Sequence, residues 1–245
     1  AAGNHAWGIA ALVAVRAELA ALAAREHAPR HLAAAQGGGD AVAALLDGGA
    51  QVDVVSPKSG KTPLHVACQH GNPRAAFRLL DAGASPHHVD ASGASTMHWA
   101  CKGGRTDVVA RLLDARVDAD APSRRGSRPL HLACEARASE VVAALLSAGA
   151  DADEPDLAGI TPLHAASAAG CARSVTALLE RKVDTEAALT IRGRHKLTSE
   201  DESTSKRALY LAAEKGHAEA VQLLLKAGAD VHALATHTAA GSSSR

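Results

Sequence analysis

The chain has 245 residues, and its 26 lysines and arginines equal in number its 26 aspartates and glutamates. A chain without net basic charge is not drawn as a whole onto nucleic acid or anionic lipid, so any such attraction has to come from local patches. Hydrophobic residues make up 47% of the chain and aromatic residues only 2%, which favours thin, closely packed helices over a thick sandwich core.

The first 23 residues are predicted to form a region with a capping helix. Its larger apolar residues recur at steps of three and four, the spacing of a stripe along one helix face. These residues are Leu12, Val15, Leu19 and Leu22. The apolar run at residues 9–15 is followed at once by Arg16 and Glu18, so it is too short to span a bilayer, and no membrane insertion is expected.

A short motif containing histidine then recurs along the chain. Its four copies are Thr62-Pro63-Leu64-His65, Thr96-Met97-His98, Pro129-Leu130-His131 and Thr161-Pro162-Leu163-His164. Successive histidines are 33 residues apart, and a fixed period of this size predicts a stacked array of helix pairs rather than one globular core. In this register the six repeats run at about 24–56, 57–89, 90–122, 123–155, 156–188 and 202–234.

The third repeat shows how each repeat is built. A turn at residues 90–93 precedes Ser95 and Thr96, either of which can cap a helix that begins near Met97. A second helix is predicted over residues 107–115, because its apolar residues form one stripe. In other repeats a proline falls at the first helical position, where its missing N–H costs nothing. These prolines are Pro63, Pro129 and Pro162.

Two helix ends are predicted to be locally weak. The slot after the second helix holds glycine in four repeats, at Gly49, Gly83, Gly149 and Gly228. Arg116 and Lys182 occupy the same slot. A left-handed backbone costs a non-glycine residue about 1–2 kcal/mol, so these two positions should carry strain.

The spacing changes once. Asp151 to His164 is a step of 13 residues, whereas the equivalent step from Asp184 to Tyr210 is 26, so 13 extra residues enter at about 189–201. Two interpretations are open: an ordered finger that contacts a partner, and a disordered excursion, which adds little to the entropy of loop closure. We favour the second. Residues 235–245 have the composition of a flexible tail.

Three of the four cysteines follow the same period. Cys68, Cys101 and Cys134 occupy one column on successive first helices, which should lie roughly 8–10 Å apart. A disulfide needs Cα atoms within about 7 Å, so we expect these cysteines to be small buried core residues. Cys171 falls in a helix–helix loop and is expected to be the more exposed thiol. Reduced cysteines favour a cytoplasmic location, or a nuclear one.

The motif and its period resemble the ankyrin repeat, over about residues 24–234. The resemblance implies an all-α solenoid of about six helix-turn-helix repeats with short β-hairpin tips, acting by protein binding without catalysis. It also implies that the motif histidines tie neighbouring repeats together by hydrogen bonds, which makes them structural. A zinc site along the histidine row is not expected, because adjacent members lie a helix spacing apart.

No catalytic or cofactor site is expected. Gly37-Gly38-Gly39 has no preceding strand and no following Lys-Ser/Thr pair, so it lacks the setting of a phosphate loop. The sequence has no G-x-S-x-G, H-E-x-x-H or Cys-x-x-Cys motif, and its hairpin aspartates are explained by turns. We therefore predict that the chain is not an enzyme.

Ankyrin repeat proteins typically bind partners with their hairpin tips and first-helix surfaces, which line a concave face. The resemblance maps this face onto Lys58, Lys61, His70, Lys102, Arg124, Arg125, Leu157 and Ile160. The hypothesis is that the basic members bind an acidic or phosphorylated segment while Leu157 and Ile160 hold an apolar anchor. The alternative is a solvated surface whose charges only keep the array soluble.

The predicted function is that of a non-catalytic adaptor or scaffold. The alternative is the substrate-recognition segment of a larger enzyme, such as a ubiquitin ligase subunit, a kinase or an acyltransferase. Nucleic-acid binding is disfavoured, because aromatic platforms are missing and the overall charge is balanced.

Overall fold

The computed structural model describes residues 29–36, 39–187 and 207–231. Twelve helices lie in these ranges: α1 (Pro29–Ala35), α2 (Gly39–Asp47), α3 (Pro63–Gln69), α4 (Pro73–Asp81), α5 (Thr96–Gly103), α6 (Thr106–Asp114), α7 (Pro129–Glu135), α8 (Ser139–Ser147), α9 (Pro162–Ala169), α10 (Ala172–Leu179), α11 (Ala208–Glu214) and α12 (Ala218–Lys226). The capping region at 1–23, the insertion at about 189–201 and the tail at 235–245 lie outside the described residues.

The helices form two compact units, an N-terminal unit (Ala1–Val117) and a C-terminal unit (Asp118–Arg245). In the N-terminal unit the first helices of the pairs, α1, α3 and α5, pack in sequence, and so do the second helices α2, α4 and α6. The C-terminal unit repeats this arrangement with α7, α9 and α11 in one row and α8, α10 and α12 in the other. The predicted all-α solenoid of helix pairs is confirmed.

One leucine or methionine from each of the first helices α3, α5, α7 and α9, and one leucine from most second helices, build the core. The fully buried members are Leu64, Leu79, Met97, Leu112, Leu130, Leu145, Leu163, Leu178 and Leu224. Small alanines at positions such as Ala100 and Ala133, also fully buried, let neighbouring helices approach closely. Helices of seven to nine residues are not stable by themselves in water. Burial of each large side chain contributes roughly 1.5–3 kcal/mol, and this packing stabilises the helices.

The helix starts follow the predicted chemistry. Pro63, Pro129 and Pro162 are the first residues of their helices. Ser95 is the residue that precedes α5, which begins at Thr96. The second helix of this repeat begins and ends one residue earlier than predicted. Its end precedes Arg116, which is already left-handed.

Three non-glycine residues in the described ranges have a left-handed backbone. Arg116 and Lys182 have φ angles of 57° and 59°, which confirms the conformation predicted for them. Arg137, with a φ of 58°, was not anticipated. It lies between α7 and α8, in a slot that Gly71 and Gly104 fill in the N-terminal unit.

The hairpin tips are tight turns linked to one another within each unit. A backbone hydrogen bond closes each tip, as from the Asp156 N–H to the Ile160 carbonyl at 2.9 Å. The N–H of Ala91 donates to the Ser59 carbonyl of the preceding tip, and the N–H of Leu157 donates to Arg125, both at 3.0 Å. The β character of the described tips is confined to one isolated antiparallel bridge, between Val89 and Ser95.

Carboxylates in the C-terminal unit join each repeat to the next. Asp153 accepts a hydrogen bond from the backbone N–H of Asp184 at 3.1 Å, 31 residues further on. Glu186 accepts one from the N–H of Asp230 at 2.9 Å and also pairs with Arg207 at 3.2 Å. Glu186 therefore connects the fifth helix pair to both ends of the sixth.

The cysteine column is buried, as predicted. Cys68, Cys101 and Cys134 are almost fully buried and carry free thiols, and Ser167 continues the column in the next repeat. Burial raises the pKa of the Cys68 thiol to about 12, so this thiol is unreactive at neutral pH.

The expectation that Cys171 is an exposed thiol is wrong. Only 8% of its surface is accessible. Its Sγ lies 3.7 Å from the carbonyl oxygen of Arg137 in the preceding repeat and receives a hydrogen bond from the Ser174 hydroxyl at 3.1 Å. A loop that connects two helices of one repeat is thus covered by the neighbouring repeat.

Candidate functional site

The motif histidines fix the hairpin tips to the first helices. The Nδ1 atom of His65 accepts a hydrogen bond from the Thr62 N–H at 3.1 Å, while its Nε2–H donates to the His88 carbonyl at 3.0 Å. His131 donates in the same way to the Ile160 carbonyl at 2.8 Å. His131 thereby joins the start of its own helix to the tip of the next repeat, as the resemblance implied, whereas His65 joins the start of its helix to the chain just before the next tip.

Burial lowers the pKa of both rings. The pKa of His65 falls to about 4, chiefly because burial penalises the charged form, although Asp90 opposes the shift. The pKa of His131 is lowered for the same reason, against the hydrogen bond to Ile160. Both rings are therefore neutral, with one nitrogen donating and the other accepting a hydrogen bond. Their role is structural rather than that of acid–base groups.

A cluster of polar side chains surrounds Trp99 in the N-terminal unit. The Lys61 Nζ lies 3.4 Å from the centre of the Trp99 ring, and the Lys102 Nζ lies 5.2 Å from it. Lys61 also donates a hydrogen bond of 2.5 Å to the Gln69 Oε1. A cation over an indole face is attracted by the ring quadrupole, so the half-buried tryptophan holds both lysines beside it. We call Lys61, Gln69, Asp90, Trp99 and Lys102 the tryptophan cluster.

Asp90 is the acidic member of the tryptophan cluster. Its Oδ1 accepts hydrogen bonds from the Ser92 N–H, the Ser92 hydroxyl and the Ala94 N–H, and its Oδ2 accepts one of 3.0 Å from the Trp99 Nε1–H. Burial alone would raise the pKa of this carboxyl, but these hydrogen bonds hold it below its ordinary value. Asp90 therefore stays ionised and fixes the orientation of the indole.

The electrostatic setting of Lys61 is less favourable. Burial lowers its pKa, Asp90 raises it, and the charge of Lys102 lowers it further. The two ammonium groups beside this aromatic ring thus lie close enough to repel one another.

The sequence predicted Lys61 and Lys102 as site residues but missed Trp99. A usable signal was present: Trp99 stands one period from Val66 and from Leu132, in a column of aliphatic residues, and the chain has only two tryptophans. Of the other predicted residues in this unit, Lys58 is exposed in the turn before α3, and His70 is exposed at the C-terminal end of that helix.

The predicted residues of the C-terminal unit form two adjacent tips. Arg124 and Arg125 are exposed on one tip, and Leu157 lies on the next with 75% of its surface accessible. The tips touch through the hydrogen bond from Leu157 to Arg125, and a Cβ at Gly126 would lie only 3.0 Å from the Leu157 Cγ. The structure therefore brings Arg125 and Leu157 together.

An apolar groove of about 390 Å³ opens beside these tips. Ile160, which belongs to the same tip as Leu157, is half-buried in its wall. The residues that line the groove are Glu135, Ile160, His164, Ala165, Ala168, Ala169 and Leu211. Three of these residues are alanines, whose small side chains leave room for a bulky side chain from another molecule. We call it the alanine groove.

Within the described ranges, no group of three or more His, Cys, Asp or Glu side chains is arranged to hold a metal ion. None of the described helices is long and apolar enough to cross a membrane.

Comparisons with known proteins agree with one another. A family model described as ankyrin repeats in three copies matches residues 3–90, 65–156 and 145–235. The crystal structure of the human ASB11 ankyrin repeat domain is similar with a TM-score of 0.70 and 27% sequence identity, covering 84% of this chain and 86% of that chain. Over 49 residues, 20% of the chain, the sequence is 49% identical to human neurogenic locus notch homolog protein 4, and this match spans 2% of that relative's length.

Proposed function

The chain belongs to the ankyrin repeat family, whose repeats generally serve as protein–protein interaction modules, and we propose that it is a non-catalytic adaptor or scaffold that binds a partner protein. The proposed binding surface consists of the hairpin tips and the first-helix faces.

One observation carries this proposal, namely the apolar surface around Leu157. Leu157 is 75% exposed, so its side chain adds little to the stability of the fold. Here the leucine shares its hairpin tip with Ile160, which lines the alanine groove. Exposed apolar surface with a polar rim is typical of protein-binding sites.

We propose that the partner supplies both charge and an apolar anchor. Its acidic or phosphorylated segment would contact Lys58, Lys61, Lys102, Arg124 and Arg125, with His70 at the margin. An aliphatic or aromatic side chain would enter the alanine groove and cover Leu157 and Ile160. Support comes from the exposure of the two arginines beside Leu157 and from the two lysines of the tryptophan cluster.

The test is affinity capture from cell extract with matched variants. Burying a leucine contributes about 2 kcal/mol, so Leu157→Asp should weaken retention of specific partners by at least about tenfold. Leu225→Asp is the control, because Leu225 is also an exposed leucine of this unit, 40% accessible, but lies on the second helix α12. A charge reversal at Arg124 and Arg125 is compared with Arg173→Glu on α10. Equal retention by Leu157→Asp and Leu225→Asp would place the binding surface elsewhere.

A second candidate is the substrate-recognition segment of a larger enzyme, such as a ubiquitin ligase subunit, a kinase or an acyltransferase. The solved ASB11 array is described as a domain, so an array of this kind occurs as one part of a longer chain. Mass analysis of the endogenous protein, isolated with an antibody against these repeats, separates this candidate from a free-standing adaptor.

We also propose a reducing compartment, cytoplasmic or nuclear, since all four cysteines are free thiols. Fractionation of cells followed by detection of the endogenous protein tests this location.

A further inference from the structure

The tryptophan cluster holds positive charge that the described residues do not neutralise. No ion pair within those residues joins Lys61 or Lys102 to a carboxylate. The hydrogen-bond acceptor of Lys61 is the neutral Gln69, and the acidic member of the cluster, Asp90, has both oxygens engaged by Ser92, Ala94 and Trp99. Two ammonium groups against one carboxylate leave one positive charge in excess.

The lysines are also held in place before any partner arrives. Lysine side chains lose up to about 2 kcal/mol of rotamer entropy when they are fixed. The Trp99 ring fixes Lys61 at 3.4 Å from its centre, and the hydrogen bond from the indole to Asp90 fixes the ring itself. Part of the entropic cost of binding an anion is thus already met in the free protein.

We propose that the tryptophan cluster is the binding site for a single carboxylate side chain, a glutamate or an aspartate of a partner peptide, held between the ammonium groups of Lys61 and Lys102. This inference rests on the proposed function and specifies the chemistry that one part of the surface recognises. The bound carboxylate replaces ammonium–ammonium repulsion with two charge-assisted hydrogen bonds, and it restores the charge stabilisation that burial removes from Lys61.

The chemistry favours a carboxylate over a phosphate group. A carboxylate carries one negative charge, which equals the excess charge of the cluster. A phosphate monoester carries between about 1.5 and 2 negative charges at neutral pH and is recognised best by the planar fork of arginine. The contacts of the cluster involve two lysines and no arginine.

The test uses Trp99 as its own reporter. The chain has two tryptophans, so Trp7→Phe leaves Trp99 as the sole indole fluorophore. This protein is titrated with capped hexaglutamate, with capped hexaglutamine, and with a capped hexaserine peptide that carries one phosphoserine. We expect a saturable change of Trp99 emission with hexaglutamate alone.

Charge-removing variants then locate the binding. Lys61→Gln and Lys102→Gln should each weaken hexaglutamate binding about tenfold, the loss expected of one charge-assisted hydrogen bond. Lys61→Arg should retain binding, and Lys215→Gln, an exposed lysine beyond α11, should leave it unchanged. Since Lys102 is exposed, its variant tests the site even if Lys61→Gln disturbs folding in circular dichroism.

Three results would overturn the inference: no saturable emission change with hexaglutamate, an affinity for hexaglutamate in both lysine-to-glutamine variants equal to that of the parent protein, or a response to the phosphoserine peptide alone. None of these bears on Leu157→Asp, which tests the alanine groove. Loss of partner capture in Leu157→Asp together with a silent Trp99 would therefore retain the proposed function and reject the carboxylate site.

Discussion

At the residue scale, the ring of His65 has its two nitrogens committed to opposite roles. Its Nε2 donates to the His88 carbonyl, and its Nδ1 accepts from the Thr62 N–H. A second proton on Nδ1 would point at another donor and would also place a charge in a buried site. The folded chain therefore resists protonation of this ring down to a pKa of about 4.

This resistance predicts a loss of stability in acid. The unfolded chain takes up the proton at the ordinary imidazole pKa of about 6.5, whereas the folded chain does not until about pH 4. The contribution of His65 is thus fully present above about pH 6.5 and declines as pH falls toward 4, by on the order of 3 kcal/mol in total. Urea unfolding across this range measures the decline.

Two variants separate the contribution of His65 to the pH dependence of stability from that of carboxylates that titrate in the same pH range. His65→Gln keeps a side chain that can accept from the helix start but does not titrate, so it should flatten the pH dependence. His87→Gln, at an exposed histidine, should leave the profile as it is. An NMR titration that placed the His65 pKa near 6.5 would contradict the prediction.

Two of the non-glycine residues with a left-handed backbone, Arg116 and Lys182, give a second prediction at this scale. Arg116→Gly and Lys182→Gly should each stabilise the fold by about 1 kcal/mol, because relief of the strained backbone exceeds the added freedom of the unfolded chain. At the equivalent Gly83 and Gly149 a Cβ would meet nothing within 4 Å, so the strain at Arg116 and Lys182 lies in the backbone and not in crowding. Thermal unfolding measures the gain.

The control for these changes is Arg173→Gly. Arg173 is an exposed arginine in the first turn of helix α10, where the backbone is right-handed and glycine should cost up to about 1 kcal/mol. A destabilised Arg116→Gly would show that the arginine side chain makes contacts worth more than its strain.

At the scale of elements, a hairpin tip and a helix end depend on glycine for two different reasons. Gly126 has a φ of 73°, and a Cβ there would lie 2.8 Å from the Leu157 backbone nitrogen. Gly149 has a φ of 90° but open space around the missing Cβ. Gly126→Ala should therefore impose both strain and a clash with the next tip, whereas Gly149→Ala imposes strain alone.

We expect Gly149→Ala to cost about 1 kcal/mol and Gly126→Ala about 2–3 kcal/mol in the free energy of unfolding. The larger loss should accompany faster hydrogen exchange of the Leu157 amide, whose bond to the Arg125 carbonyl links the tips. Equal costs in the two variants would mean that the tip-to-tip contact adds nothing to stability.

The helix pairs were predictable because each depends on local signals. Pro63, Pro129 and Pro162 are favoured at the first position of a helix by their own geometry, and the 33-residue period fixes the register. Trp99 was missed because its role comes from side chains of two repeats meeting on one ring, which no local signal encodes. The exposure of Cys171 was misjudged for a related reason, since its cover comes from Arg137 in the repeat before it.

At the scale of the whole molecule, each compact unit contains three helix pairs within the described residues. The stability of a repeat array is approximately a sum over its repeats and the interfaces between neighbours, and about three repeats suffice for a stable stack. The contacts within α7, α9 and α11 and within α8, α10 and α12 are all internal to the C-terminal unit.

We therefore predict that fragments 1–117 and 118–245 each fold on their own. Each should show a helical circular dichroism spectrum and a cooperative urea transition, at lower denaturant concentration than the full chain. A fragment with an unfolded spectrum would show that three pairs are too few in this alanine-rich sequence.

The contacts of Glu186 bear on how the chain between the fifth and sixth helix pairs can change in length. Its carboxylate binds Arg207 and the Asp230 N–H, so the sixth helix pair is docked by atoms that flank the stretch between residues 187 and 207. Evolution can lengthen or shorten that stretch while the docking remains intact. For the same reason a protein engineer would choose this junction to splice in a reporter domain or an epitope.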